Sequence, residues 1–208
     1  MSTEPSKRTE QTRERLRAAA HRLFLEHGYL ATSIDAILLE SGVASKETLY
    51  RHYTNKEALF ADVLSHLTLE QPGFAERMAA LPAPRDLVSL RQALTQLSHE
   101  ILSMIRQPGY LPLVRMIVSE SSRFPQLGLL FFSTVTQRGI LLIRSLLQSA
   151  RGQQVIADLD LEAVTRTLLG GLVASVLMSV VLQEALDQPA VVERVDAVVE
   201  IIMRALTP

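Results

Sequence analysis

The chain has 208 residues, 48% of them apolar, and a net charge of −1, so it can bury a sizeable core and global disorder is excluded. It contains no cysteine, which excludes disulfides, thiolate metal sites and cysteine nucleophiles and fits a reducing cytoplasm. Charge is unevenly spread: residues 1–56 hold nine Lys/Arg against seven Asp/Glu, including all three lysines, Lys7, Lys46 and Lys56, a mild basic bias at that end.

Residues Met1 to Glu14 are polar and charged, with no apolar core of a signal segment. From there on, Gly and Pro punctuate the chain at helix length, and the apolar spacing between them is helical, with no sustained period-2 alternation. The reading is all-α. A first helix spans about 9–27, with Leu16, Ala20, Leu23 and Phe24 on one face, and Gly28 stands where a helix end favours a left-handed residue. Thr32 and Ser33 can cap a second helix, Ile34 to Glu40, which ends at Ser41-Gly42. Ser45 caps a third, running to about Tyr53. Asn55 caps a fourth, carrying Leu59, Phe60, Val63, Leu64 and Leu67.

The second and third helices, joined by a tight turn through Gly42, have the form of a helix-turn-helix unit. Val43 can plug the corner, and Ile37, Leu49 and Tyr53 can close a small core with Phe24. The third helix then offers its polar N-terminal face to a DNA major groove. Lys46 supplies a charge for phosphate or a guanine edge. Thr48 suits a thymine methyl or a hydrogen bond. Tyr50 and His52 offer ring donors at backbone distance, and Lys56 sits at the start of a helix whose free N–H groups can hold a phosphate.

Gly28-Tyr29, Ala31-Thr32-Ser33-Ile34, Ile37, the run Gly42 to Tyr53 and Asn55-Lys56-Glu57-Ala58-Leu59 together resemble the N-terminal domain of the TetR family, over about residues 12–64. The resemblance implies DNA contact at Thr32, Ser33, Lys46, Thr48, Tyr50, His52 and Lys56; Ser45 and Arg51, in the same run, complete the candidate DNA-facing set. The chain departs from the family pattern at Glu47, where many relatives carry Gly, Ala or Pro, and at Leu38, where Ala is common. Two domains are expected: a three-helix DNA-binding domain over 9–55 and a larger helical domain for effector binding and dimerisation over 56–208.

The remainder reads as five helices, at about 86–107, 111–123, 125–150, 160–186 and 190–206. Glu120-Ser121-Ser122-Arg123-Phe124-Pro125 followed by Leu127 is similar to a segment of the AefR-like subclass. The longest apolar run, Leu168–Leu182, is 15 residues, short of the roughly 20 needed to span a bilayer, and is expected to be buried in protein. By resemblance, the last two long helices of each subunit form a four-helix homodimer interface. The candidates there are Leu168, Leu172 and Val176, with the seam Val192, Val195, Val199 and Ile202. A pocket for a small apolar or amphipathic effector is expected among the body helices. Its candidate lining is Met104, Ile105, Met116, Phe131, Phe132, Val135, Gln137 and Met178, although Met and Phe at such spacing also serve as plain core.

No phosphate-binding Gly-rich loop, GxSxG elbow or His-Glu-x-x-His occurs, and the five histidines lack ligand spacing. Asp160 precedes a helix and reads as an N-cap. The expectation is therefore a non-enzyme without cofactor, metal or membrane partner: a cytoplasmic, dimeric, ligand-responsive repressor binding a palindromic double-stranded DNA operator. The alternatives are a DNA-binding protein without effector and an all-α enzyme.

Overall fold

The computed structural model describes residues 7–182 and 188–207, and their side chains except at 175–182 and 188–191. Val176 and Met178 thus lie outside the described side chains. Every regular element among the described residues is helical: α1 (Lys7–His27), α2 (Ile34–Ser41), α3 (Lys46–His52), α4 (Lys56–Thr68), α5 (Phe74–Ala79), α6 (Leu87–Ile105), α7 (Tyr110–Glu120), α8 (Gln126–Phe131), a π-helical segment (Phe132–Thr136), α9 (Gln137–Gly152), α10 (Leu161–Leu182) and α11 (Gln188–Leu206). Two elements differ from the sequence reading. The short α5 follows Gly73 and buries no residue, so no apolar period marks it. The helix expected over 125–150 carries five π-helical residues, which no Pro or Gly announces.

The chain forms two compact units. One runs to Thr68 and includes Gly109–Thr134; the other comprises Leu69–Pro108 and the residues from Val135 onward. In the first, α1 packs on α2, α4 and α7, and α8 on α4 and α7. Leu16, Ala20, Phe24, Ile37, Leu49, Leu59, Phe60 and Leu64 are fully buried, and burying each large side chain is worth about 1.5–3 kcal/mol. Phe24, Tyr29 and Phe60 meet with ring centroids 5.2–5.4 Å apart, and Phe124 stacks on Tyr29 at 5.6 Å. The Glu120–Pro125 segment is thereby fixed to the turn after α1, where the Leu30 N–H donates to Glu120 Oε2 at 3.0 Å.

In the second unit, α6, α9, α10 and α11 pack on one another around Leu90, Leu94, Leu97, Ile143, Leu147, Leu168 and Leu172. Asp86 caps α6 in a capping box with Ser89, and Asp160 Oδ1 accepts from the N–H groups of Glu162 and Ala163 at the start of α10. Gly171 lets α11 come close, since a Cβ there would stand 2.9 Å from Val198 Cγ1. Polar pairs rim the bundle: the ion pairs Arg91–Glu200 and Arg77–Glu100 (2.7 Å) and a hydrogen bond between His99 and Asp196 at 2.7 Å. Among the described residues, one continuous helix, Gln126–Gly152, is long and apolar enough to cross a membrane by length and composition. It carries Arg138, Arg144 and Arg151, and an arginine at the centre of a spanning helix costs about 2.5–3.5 kcal/mol.

Candidate nucleic-acid interface

The turn between α2 and α3 is built by three local devices. Ser33 Oγ accepts from the Ala36 N–H at 3.1 Å and starts α2. Gly42 ends α2 in the left-handed region, at φ 63°, with its N–H on the carbonyls of Leu38 and Leu39. Ser45 Oγ accepts from the Thr48 N–H at 3.2 Å and starts α3. A Cβ at position 42 would lie 2.7 Å from Arg15 Nη2, and that same nitrogen donates to the Ser41 carbonyl at 2.6 Å. The glycine is thus favoured for its backbone angle, and a side chain there would also move the guanidinium that closes the end of α2.

Below the turn, Val43, Ile37, Leu49 and Tyr53 are buried. Asp62 of α4 is the polar centre of this packing. It receives Arg13, Arg17 (3.5 Å) and the Tyr53 hydroxyl, which donates at 2.7 Å. Burial pushes the Tyr53 phenol up, and its bond to Asp62 adds to the shift. The Asp62 hydrogen bond holds the Arg13 guanidinium above its ordinary value. With three donors around one buried carboxylate, α1, α3 and α4 are locked in one arrangement.

This packing leaves one face of α3 outward. Lys46, Tyr50 and Arg51 are exposed, Thr48 and His52 half-buried, and Leu49 and Tyr53 point in. Lys46 Nζ lies 2.8 Å from Asp35 Oδ1, and that carboxylate holds the ammonium above the ordinary lysine range. Glu47, the departure from the family pattern, is exposed 3.6 Å from Arg51 on the next turn. Leu38 is half-buried on α2.

Two of the expected contact residues sit differently. The Thr32 hydroxyl is turned inward and donates to the carbonyls of Leu23 (3.1 Å) and Gly28 (2.7 Å). Lys56 Nζ donates to the carbonyls of Tyr29 (2.7 Å) and Thr32 (2.8 Å) and lies 4.2 Å above the Tyr29 ring. Burial pushes the Lys56 ammonium down. Both side chains hold the turn between α1 and α2, while Ser33 remains exposed beside them.

The effector and dimer candidates are distributed as follows. Met116 is buried in the first unit, where the Phe131 ring lies 6.3 Å from Tyr110 and Phe132 is exposed. In the second unit Ile105 and Val135 are buried, Met104 is half-buried and Gln137 exposed. Leu168, Leu172, Val195, Val199 and Ile202 are buried within the single chain, and Val192 is half-buried. The exposed positions of α10 and α11 are others, among them Gly170, Val173, Ala174, Ala197 and Ile201.

An all-helical chain whose N-terminal unit displays a capped helix-turn-helix with a polar outer face is of the DNA-binding regulator class. The family model for bacterial regulatory proteins of the TetR family matches residues 16–63, and that for the AefR-like transcriptional repressor C-terminal domain matches residues 92–207. The chain belongs to the TetR family of transcriptional regulators. Solved structures agree. The flavonoid-responsive regulator FrrA is 29% identical, with a TM-score of 0.74 and coverage of 96% of this chain and 98% of its own. TylP, a TetR regulator from Streptomyces fradiae, is 29% identical, with a TM-score of 0.63 and coverage of 97% and 89%. A TetR transcriptional regulator from Agrobacterium tumefaciens shares the fold at 21% identity, with a TM-score of 0.71 and coverage of 93% and 94%. No curated protein sequence matches the chain.

Proposed function

We propose that the chain is a cytoplasmic, ligand-responsive repressor that binds a near-palindromic operator as a homodimer. The observation that carries this reading is the outward face of α3: Lys46, Tyr50 and Arg51 stand free of the core on a helix whose inner side is anchored by Leu49 and Tyr53. Such a helix fits a major groove, and two of them, about 34 Å apart in a symmetric dimer, read two half-sites. Ser33, Ser45, Thr48 and His52 flank it, while Thr32 and Lys56 contribute by fixing the turn that orients it.

Repression is supported by the AefR-like model, whose description is that of a transcriptional repressor. Response to a small apolar or amphipathic effector is supported by FrrA, described as flavonoid-responsive. Release from DNA follows if the effector binds one arrangement of the DNA-binding domains better than the other, by no more than that difference in affinity. Since Val195, Val199 and Ile202 fill the chain's own core, dimerisation falls to the exposed side of α10 and α11, where Gly170, Ala174 and Ala197 permit close helix approach.

The test begins with duplex fragments selected by the purified protein from the source genome. Tyr50→Ala is expected to weaken the selected operator about tenfold with unchanged helicity. Undiminished affinity would remove α3 as the reading element, and failure of the parent protein to bind any duplex at low salt would remove the DNA-binding reading altogether.

A further inference from the structure

Facing the helix-turn-helix is a wall that the resemblance does not assign. Arg8, Thr12 and Arg15 recur along α1 at intervals of four and three residues, which puts them on one side of that helix. This stripe borders an open cleft of about 620 Å³, with the Gly42–Ala44 turn and the Thr48, Arg51 and His52 edge of α3 on its other side. Three arginines and a histidine line the cleft, and no carboxylate does. Among the described residues no acid pairs with Arg8. Arg15 gives one nitrogen to the Ser41 carbonyl, and Arg51 has only its 3.6 Å pairing with the exposed Glu47. Thr12 donates its hydroxyl to the Arg8 carbonyl at 2.9 Å.

A hollow lined by arginines and, among the described residues, by no carboxylate is complementary to an anion with several acceptor oxygens. Arginine, with five N–H donors in a fixed fork, suits the tetrahedral oxygens of phosphate. The cleft shares Thr48, Arg51 and His52 with the helix that would enter the groove, so the anion nearest to hand on a bound duplex is a backbone phosphate at the groove's edge. We infer that the cleft between α1 and the helix-turn-helix clamps a DNA backbone phosphate, extending the interface from α3 to Arg8, Thr12 and Arg15. The inference rests on the DNA-binding reading above. It adds an element that is blind to sequence: the clamp sets where the protein stands on the duplex, and the outward face of α3 selects the bases.

The test is the salt dependence of binding by the full chain, on the selected operator and on an unrelated duplex. Each phosphate contact contributes about 0.9 to the slope of log affinity against log salt concentration. Arg8→Gln is expected to lower that slope by about one unit on both duplexes and to leave their affinity ratio unchanged, with Arg8→Lys restoring the slope. Arg8 is exposed near the start of α1, so unchanged helicity of both variants is expected and is checked alongside. If Arg8→Gln keeps the full slope while the parent protein binds operator, the clamp is overturned and the recognition role of α3 stands. If the parent binds no duplex, the underlying reading fails first. Inorganic phosphate, titrated at fixed ionic strength with the arginine side-chain NMR signals as readout, separates the sources: saturable binding that leaves operator affinity unchanged would make the cleft a free-anion site and overturn the clamp.

Discussion

In the first unit a single buried carboxylate, Asp62, gathers Arg13, Arg17 and Tyr53 from two other segments, whereas in the second the charged pairs lie at the rim and the interior is aliphatic apart from the hydroxyls of Ser98 and Thr165. In the first unit directional bonds, each with one satisfactory arrangement, thus add to the apolar packing. In the second, geometry is held by packed surfaces, which tolerate substitution as long as volume and pattern persist. The difference matches what each region must deliver. On the proposed function, a reading helix has to keep its outer face within tight angular limits, while a ligand-responsive body needs bulk and adaptability.

The comparison can be broken at Asp62. Replacing it with Ala removes the buried carboxylate that Arg13, Arg17 and Tyr53 share, and a loss of about 3 kcal/mol is expected, at the low end for a broken buried network because Arg13 can turn to water. Urea unfolding measures it. A loss below 1 kcal/mol would show that apolar packing alone holds α1, α3 and α4. The same kind of interaction in the second unit should count for little. Arg91→Ala removes a pair whose side chains are 49% and 39% exposed, and a cost of about 0.2–1 kcal/mol is expected, shrinking with salt. A cost equal to that at Asp62 would erase the distinction between the units.

The smallest expected effect sharpens the contrast through pH. Burial, with a further push from His66, lowers the folded-state pKa of His21 below its ordinary 6.5. The unfolded chain therefore binds this proton more readily. Above pH 6.5 both states are neutral at His21 and the residue has no pH effect. As pH falls below 6.5, stability declines until the folded state is protonated as well. His21→Gln should flatten that part of the stability curve, as thermal unfolding between pH 7 and pH 5 would show; an unaltered slope would place the proton uptake elsewhere.

How much of this was legible in the sequence depended on whether a residue's role is local. Ser33, Gly42, Ser45, Asn55 and Asp160 act on backbone within three residues, and each does in the structure what its spacing implied. α5 was invisible because it has no side-chain cap and buries no residue, and the π-helical segment because it continues the helical apolar pattern, burying Val135, with no cap of its own. At the candidate interface the outward side of α3 followed from the inward set of Leu49 and Tyr53. The directions of Thr32 and Lys56 did not, since a hydroxyl or an ammonium bonds equally well to phosphate or to a carbonyl, and only the path of the chain decides which is nearer. The apolar seam of α11 was readable as buried, yet the same spacing serves a partner subunit or the chain's own core, and Val195, Val199 and Ile202 lie in the latter. Arg8, Thr12 and Arg15 were given no role from the sequence. Their common side of α1 was the available signal, but nothing in the sequence shows what stands opposite.

Gly42 has a consequence for how this protein tolerates change. Even alanine there would both oppose the left-handed backbone and displace the Arg15 guanidinium. One position therefore bears on both the angle between α2 and α3 and the placing of the Arg15 guanidinium beside the neighbouring hollow. Lys46 and Tyr50, exposed on α3, can by contrast change without bending the scaffold that presents them.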